Sequence, residues 1–317
     1  MKPGQICSVV MGCAFLSLFA LSRSSLAQEI PRADLEKIIG YAKLSEAVYH
    51  DPPQADLPHG WRVLEQGSIP SGLKWALSER QRSDGTRERV LAFAGTEDAK
   101  DWLTNADQAL RNGIPRTGIN IPGVAIPAIQ YQEALQVATK YVQAKDQDKN
   151  MSLVITGHSL GGGLGQYVSL KTGVKAVVFN AAALGPETVQ DIAPYLRAAA
   201  SRQITHITMR GDPVHNPTRA ALRGQHFGVE YVVEPAPGTP DMFPIERPLL
   251  TSPSLKEWGQ DKLARHAMSN IIASLRYTQA YGEIQPWKHS APFSQKATDR
   301  GGLWGAVEIR PEDFQSR

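Results

Sequence analysis

A short apolar segment that runs directly into a glycine-rich turn constrains this chain more than any other feature. Residues 152–156 form a continuous, largely apolar run typical of a buried parallel strand, and a helical period follows over 160–171. Between them lies Gly157-His158-Ser159-Leu160-Gly161. A Gly-x-Ser-x-Gly turn in this context lifts the serine hydroxyl out of the chain, and the helix N-terminus presents backbone N–H groups to negative charge. The segment predicts Ser159 as a nucleophile and the N–H of Leu160 as an oxyanion donor.

Strand and helix patterns alternate along the chain, which indicates the class of fold. Apolar runs typical of strands lie at 176–179, 204–209 and 229–233, and helical periods at 33–49, 130–144, 189–200 and 261–277. This alternation predicts an α/β fold with a mostly parallel central sheet and helices on both of its faces. A hairpin at 73–94 comes before the parallel part. The charged residues near its turn, Glu88 among them, are expected to be solvated.

The first 27 residues have the layout of a secretory signal peptide that is cleaved after Ala27. Lys2 precedes an apolar run over 6–21, and the segment ends in Ser25-Leu26-Ala27. The run is short for a membrane span, which needs about 20 apolar residues. We therefore expect an exported protein, periplasmic or secreted, without an integral membrane span after processing. Residues 28–317 are expected to form a single domain, with 281–317 as an irregular C-terminal extension.

The cysteine content and the net charge of the mature chain differ from those of the full sequence. The 317-residue chain has two cysteines, Cys7 and Cys13, and a formal net charge of +3. Both cysteines and two of the basic residues belong to 1–27, so the mature chain has no cysteine and a net charge of +1. This excludes disulfides and cysteine nucleophiles in the mature chain, and it argues against nucleic acid as a partner.

Asp212 is the leading candidate for the acid of a catalytic triad. A serine nucleophile needs a histidine base and a carboxylate that orients it, and after such a turn the expected chain order is Ser, Asp or Glu, His. Asp212 follows the strand at 204–209, at the sheet edge where sites of α/β folds are built. Asp191 and Asp241 are weaker candidates. His158 adjoins the nucleophile and is expected to pack beside the site without acting as the base.

Four histidines downstream of the acid are candidates for the base. His266 follows a long loop and begins the predicted last helix, and it is preferred. His226 enters the strand at 229–233 and is the main alternative. His215 lies only three residues after the acid, and His289 lies in the irregular extension.

Two segments resemble the class 3, or fungal-type, lipase family of the α/β-hydrolase superfamily. One is the turn at 157–161, and the other is Ala92-Phe93-Ala94-Gly95-Thr96-Glu97-Asp98 with Asp101-Trp102-Leu103-Thr104-Asn105 after it. The resemblance covers residues 33–280 and implies the α/β-hydrolase fold, Thr96 as a second oxyanion donor, and Trp102 with Leu103 in a lid. Ala94 departs from the family, which usually has arginine there. The resemblance implies a lipid ester substrate, met at a lipid–water interface.

Other functions stay open on the residues alone. The apolar residues of 102–126 are typical either of a buried connection or of a mobile lid over an acyl pocket. A peptidase or an acyltransferase would use the same triad, and a non-catalytic binding protein would share the fold. We expect no cofactor and no metal. Residues 146–151 begin like a calcium loop, but Met151 stands where glycine is required, and the sequence has no His-Glu-x-x-His motif.

Overall fold

The computed structural model describes residues 32–51, 53, 57–95, 128–215, 224–239, 264–281 and 288–289. The predicted signal peptide lies outside these ranges, as do Thr96, Trp102, Leu103 and Asp241.

One mixed sheet of eight strands runs through the described part of the chain, and its strand order follows the sequence. The strands are β1 (Arg62–Ser68), β2 (Lys74–Gln81), β3 (Arg87–Phe93), β4 (Met151–His158), β5 (Ala176–Phe179), β6 (Ile204–Met209), β7 (Val229–Val233) and β8 (Lys288–His289). Strands β3 to β7 are parallel, whereas β1, β2 and β8 pair antiparallel with their neighbours. The predicted α/β fold with a mostly parallel central sheet is confirmed.

Helices cover both faces of this sheet. They are α1 (Arg32–Ala47), α2 (Ala128–Gln147), α3 (Leu160–Thr172), α4 (Pro186–Val189), α5 (Pro194–Ala199) and α6 (Met268–Tyr281), with a 3₁₀ turn at Ala200–Arg202. Helices α2 and α3 contribute to one hydrophobic core, and α1 and α6 to another. Both cores contain residues of the central strands, because a parallel sheet alternates its side chains between two covered faces. No helix in the described ranges is long and apolar enough to cross a membrane.

Three predicted elements differ from those in the structure. No continuous helix spans the predicted range 189–200: α4 ends at Val189 and α5 begins at Pro194, because a proline cannot continue a preceding helix but fits the first turn of a new one. The last helix starts at Met268, later than predicted, and His266 lies in a helical turn at 264–266 that precedes it. Within the predicted irregular extension, β8 pairs with β7.

Glu88 corrects the expectation of a solvated hairpin end, because its side chain is fully buried. It accepts hydrogen bonds from the Tyr41 hydroxyl (2.5 Å) and from Arg80 (2.8 Å), and it forms an ion pair with Arg82 (2.8 Å). Burial by itself would raise the pKa of this carboxyl. The hydrogen bonds and the charge of Arg80 outweigh that effect and lower the pKa below its ordinary value.

Candidate active site

Ser159 sits in a strained turn between β4 and α3. Its backbone has φ 60° and ψ −126°, a conformation that a residue with a side chain rarely adopts. The turn is tight on both sides. A Cβ on Gly157 would lie 2.3 Å from the carbonyl oxygen of Gly161, and one on Gly161 would lie 2.1 Å from that of Phe93. Only glycine fits these two positions, which is why the turn has the pattern Gly-x-Ser-x-Gly.

Backbone hydrogen bonds hold this turn against the neighbouring strand. The N–H of Ser159 donates to the Phe179 carbonyl at the end of β5 (3.1 Å). The Ser159 carbonyl accepts the N–H groups of Gly163 (3.1 Å) and Ala182 (2.9 Å). Leu160 is the first residue of α3, so its N–H belongs to the first turn of the helix, where backbone donors have no partner within the helix. The turn therefore holds a strained serine next to a positive helix end.

Asp212 and His266 meet at the same edge of the sheet. The Asp212 Oδ2 and His266 Nδ1 atoms are 2.7 Å apart, and both side chains are buried. The other oxygen, Oδ1, accepts the backbone N–H groups of Val214 (2.9 Å) and His215 (2.7 Å). Because a carboxylate only accepts, Nδ1 of His266 carries the proton and Nε2 has the lone pair of a base. Nε2 is buried and has no hydrogen-bond partner among the described residues.

Asn180 and Arg265 position the segment that carries His266. The amide of Asn180 donates to the Arg265 carbonyl (3.0 Å) and accepts the N–H of Met209 at the end of β6 (2.8 Å). The Arg265 guanidinium donates to the Arg210 carbonyl (2.8 Å). Asn180 is fully buried and has a φ of 40°. These bonds join the ends of β5 and β6 to the residue before His266, which holds His266 near Asp212.

His158 links the Ser159 turn to His266. Its Nε2 donates to the His266 carbonyl (2.7 Å), and the two imidazole centroids are 4.4 Å apart. Its Nδ1 lies 3.1 Å from the Tyr49 hydroxyl, which accepts the N–H of Gly95 (2.7 Å). Burial and the neighbouring His266 lower the pKa of His158 well below its ordinary value, so this ring is neutral near neutral pH. Since His158 directly precedes Ser159, this hydrogen bond and the tilted contact between the two rings connect the Ser159 turn to the segment that carries His266.

The end of β3 comes close to the same turn. A Cβ on Gly95 would lie 3.0 Å from the Cβ of Ser159 and 2.8 Å from the His158 carbonyl oxygen. The residue after Gly95 is Thr96, the predicted second oxyanion donor, which lies outside the described residues.

The structure separates the remaining candidates from this site. Among the described residues, His266 is the side chain bonded to the Asp212 carboxylate. His226 instead bonds through Nε2 to the carbonyl of His215 (3.0 Å). Asp191 pairs with Lys171 on the surface (2.7 Å). The backbone of His289 is in β8, and its side chain lies outside the described part.

Sequence reasoning missed Tyr49 and Asn180. Tyr49 lies just past α1, far from every motif, and Asn180 follows β5 without a recognisable pattern. The one usable signal was the position of Asn180 directly after a predicted parallel strand, because strand ends converge at the sheet edge where sites form.

A strained serine between a parallel strand and a helix, with an Asp–His pair at the same sheet edge, defines an α/β hydrolase. The model of a phospholipase-like family, described as the Tle-like phospholipase domain, matches residues 40–228. This match covers more than half of the chain, and the protein belongs to that family. The expected resemblance to lipases is confirmed.

The extracellular phospholipase A1 of Serratia liquefaciens is 43% identical over 129 residues. The matched region covers 40% of this chain and 35% of that protein, so the similarity spans about a third of the relative. Among solved structures, a Rhizomucor miehei lipase in complex with its propeptide shares 14% identity and a TM-score of 0.48, over 65% of this chain and 70% of that one. A mutant form of MDLA from Penicillium cyclopium shares 14% identity and a TM-score of 0.49, over 78% and 100%.

Proposed function

We propose that the protein is an exported carboxylic ester hydrolase that cleaves acyl esters of phospholipids through Ser159, His266 and Asp212. The observation that carries this proposal is the convergence of the strained Ser159 turn and the Asp212–His266 pair at one sheet edge. The phospholipase-like family and the extracellular phospholipase A1 relative support phospholipid over other esters. The apolar run that ends before Ala27 and the extracellular relative support export.

In the first half of the reaction, Ser159 attacks the ester carbonyl. His266 Nε2 takes the hydroxyl proton while Oγ bonds to the carbonyl carbon, and the Asp212 carboxylate stabilises the imidazolium. The N–H of Leu160, with Thr96 as the second donor, stabilises the oxyanion. Collapse of this intermediate breaks the bond to the alcohol oxygen, which takes the proton from His266 and leaves as lysophospholipid.

Water completes the reaction. His266 takes a proton from a water molecule that attacks the acyl-enzyme, and the second intermediate releases the fatty acid and returns the proton to Ser159. The neutral His158 holds the His266 backbone through its Nε2 bond and takes no proton itself.

Fluorophosphonate labelling and phospholipid hydrolysis test the proposal. Phosphatidylcholine with a different acyl chain at each glycerol position is given to the wild type, to Ser159→Ala and to His266→Ala, with triacylglycerol as the competing substrate. The exposed His59 provides a matched control, His59→Ala. We expect labelling and hydrolysis in the wild type and the control, no labelling in Ser159→Ala, and a preference for phospholipid.

Three results would contradict the proposal, each in a different part. Full activity in Ser159→Ala would overturn the mechanism, and activity kept by His266→Ala would overturn the choice of base. Faster turnover of triacylglycerol than of phospholipid would leave the mechanism and overturn the substrate class. Release of the sn-1 acyl chain is the outcome expected from the A1 name of the relative.

A further inference from the structure

Three buried histidines lie together beneath the Asp212 turn. His206 is on β6, His215 closes the turn that follows β6, and His226 lies just before β7. Their exposed fractions are 0%, 0% and 2%. The rings of His215 and His226 stack at 3.8 Å between centroids, and that of His206 lies 5.7 Å and 5.2 Å from them. Three imidazoles from three segments thus share one space in the interior, separate from the proposed triad.

Two of these rings donate through Nε2 to a backbone carbonyl, and the Nε2 atom of the third faces a carboxylate at ion-pair distance. His206 donates to the Phe227 carbonyl (3.0 Å), and His226 donates to the His215 carbonyl (3.0 Å). The Nε2 atom of His215 lies 2.9 Å from a carboxylate oxygen of Glu230. Metal-binding histidines have this arrangement, in which one ring nitrogen donates to a carbonyl or carboxylate and the other bears the lone pair that binds the ion. Because a carbonyl oxygen only accepts, the proton of His206 and that of His226 are on Nε2 and their lone pairs are on Nδ1. A neutral His215 with its Nε2 proton directed at Glu230 would have its lone pair on Nδ1 as well.

One ligand atom from each of the three histidines lies within 4.8 Å of the other two. We propose that these histidines bind one divalent transition-metal ion, with Zn²⁺ as the first candidate. Imidazole suits Zn²⁺, whereas Ca²⁺ and Mg²⁺ prefer oxygen ligands. With Zn–N bonds of about 2.0–2.1 Å, tetrahedral ligand atoms are about 3.3 Å apart. The distances between the three ligand atoms therefore have to shorten by about 1.5 Å or less for all three to bind one ion.

The position of the cluster gives the ion a role. His215 is three residues after Asp212, and its backbone N–H is one of the two that orient the Asp212 carboxylate. An ion held by the three rings would tie the end of that turn to β6 and to the start of β7. The metal would act as a clamp on the turn that presents the acid, and it would not contact the substrate.

Metal content of the full-length protein, purified without a metal-affinity step, tests the proposal. We expect one equivalent of zinc per chain by elemental analysis, and a rise in the melting temperature when Zn²⁺ is returned to chelator-treated protein. Replacement by Co²⁺ should give the visible absorption bands of a four-coordinate ion with three imidazole ligands. His206→Gln and His226→Gln should each hold less than a tenth of the wild-type zinc, while His59→Gln should hold all of it.

The readouts do not depend on enzymatic activity, so they stand apart from the test of the proposed function. Wild-type protein without bound metal, without a cobalt spectrum and without a Zn²⁺-dependent melting temperature would overturn the proposal. Full zinc content in either cluster variant would overturn it as well. If the variants do not fold, the wild-type stoichiometry and the cobalt spectrum decide.

Discussion

Asp212→Asn tests whether the Asp212 carboxylate sets the tautomer of His266. The backbone N–H groups around this side chain determine the orientation that an amide would take in its place. In the structure, Oδ1 of Asp212 accepts the N–H groups of Val214 and His215 at 2.9 Å and 2.7 Å. The amide oxygen of the variant must occupy that position to keep both bonds. Its NH₂ group then faces Nδ1 of His266, which becomes the acceptor, and the proton moves to Nε2. A histidine in that tautomer cannot take a proton from Ser159.

The size of the expected decrease in kcat/KM follows from the free-energy cost of the reversed amide orientation. The flipped amide would restore the active tautomer but leave two buried N–H donors without an acceptor, at about 1–3 kcal/mol each. A total of about 2–6 kcal/mol reduces the active population by about 30-fold to 10⁴-fold. We expect kcat/KM to fall by a factor in that range while the melting temperature stays close to that of the wild type, because the amide keeps the size and the backbone bonds of the carboxylate.

The assay measures kcat/KM for phosphatidylcholine together with the rate of fluorophosphonate labelling. Asp191→Asn is the matched control, because Asp191 carries an exposed carboxylate paired with a lysine on the surface. A decrease of less than tenfold in Asp212→Asn, with the fold intact, would refute the reasoning that the carboxylate sets the tautomer of His266.

Three further predictions concern packing, charge and the oxyanion side of the site. Gly161→Ala should lower the free energy of unfolding by about 3 kcal/mol, because the new Cβ would lie 2.1 Å from a carbonyl oxygen. Gly40 in α1 has open space around it, so Gly40→Ala is the control and should not destabilise the protein. Urea unfolding measures both free energies. Glu88→Gln should cost about 3 kcal/mol at pH 7, since it breaks a buried ion pair. Because folding lowers the pKa of Glu88, its carboxylate contributes to stability above the unfolded-state pKa of about 4.5, and this contribution is lost as the pH falls below that value. The difference in free energy of unfolding between wild type and Glu88→Gln should therefore be smaller at pH 4 than at pH 7. Tyr49→Phe should lower kcat about tenfold with little change in KM, because the N–H of Gly95 loses its hydrogen-bond acceptor beside Ser159. Steady-state kinetics measures both constants, and an unchanged kcat would contradict this prediction.

The parts of the fold that sequence patterns predicted well are those that local periodicity specifies. The strands at 176–179, 204–209 and 229–233 match the structure, since each is a short apolar run bounded by turn residues. The helix over 189–200 was predicted wrongly because its apolar spacing continues past Pro194, where a preceding helix cannot continue and a new one begins. Glu88 was expected in solvent because charge alone gives no sign of the three partners that compensate its burial.

Chain order and residue type limited the candidate residues of the site but did not identify all of them. The turn around Ser159 could be predicted because the strand, the glycines and the helix are contiguous and each has a local steric reason. Asp212 could be ranked first because it follows a strand at the sheet edge. The base could not be chosen with the same force, since four histidines follow the acid in an allowed order, and only the distance from His266 to Asp212 separates them.

The sequence by itself determined the alternation of strands and helices and the strained turn at Ser159, because both depend on neighbours within a few residues. Tertiary structure decided which histidine faces Asp212, which residues hold it there, and which three histidines gather beneath the turn. Asn180 and the cluster of His206, His215 and His226 have no pattern along the chain. Their contacts arise when separate strands end at one edge of the sheet, and that convergence is a property of the folded sheet.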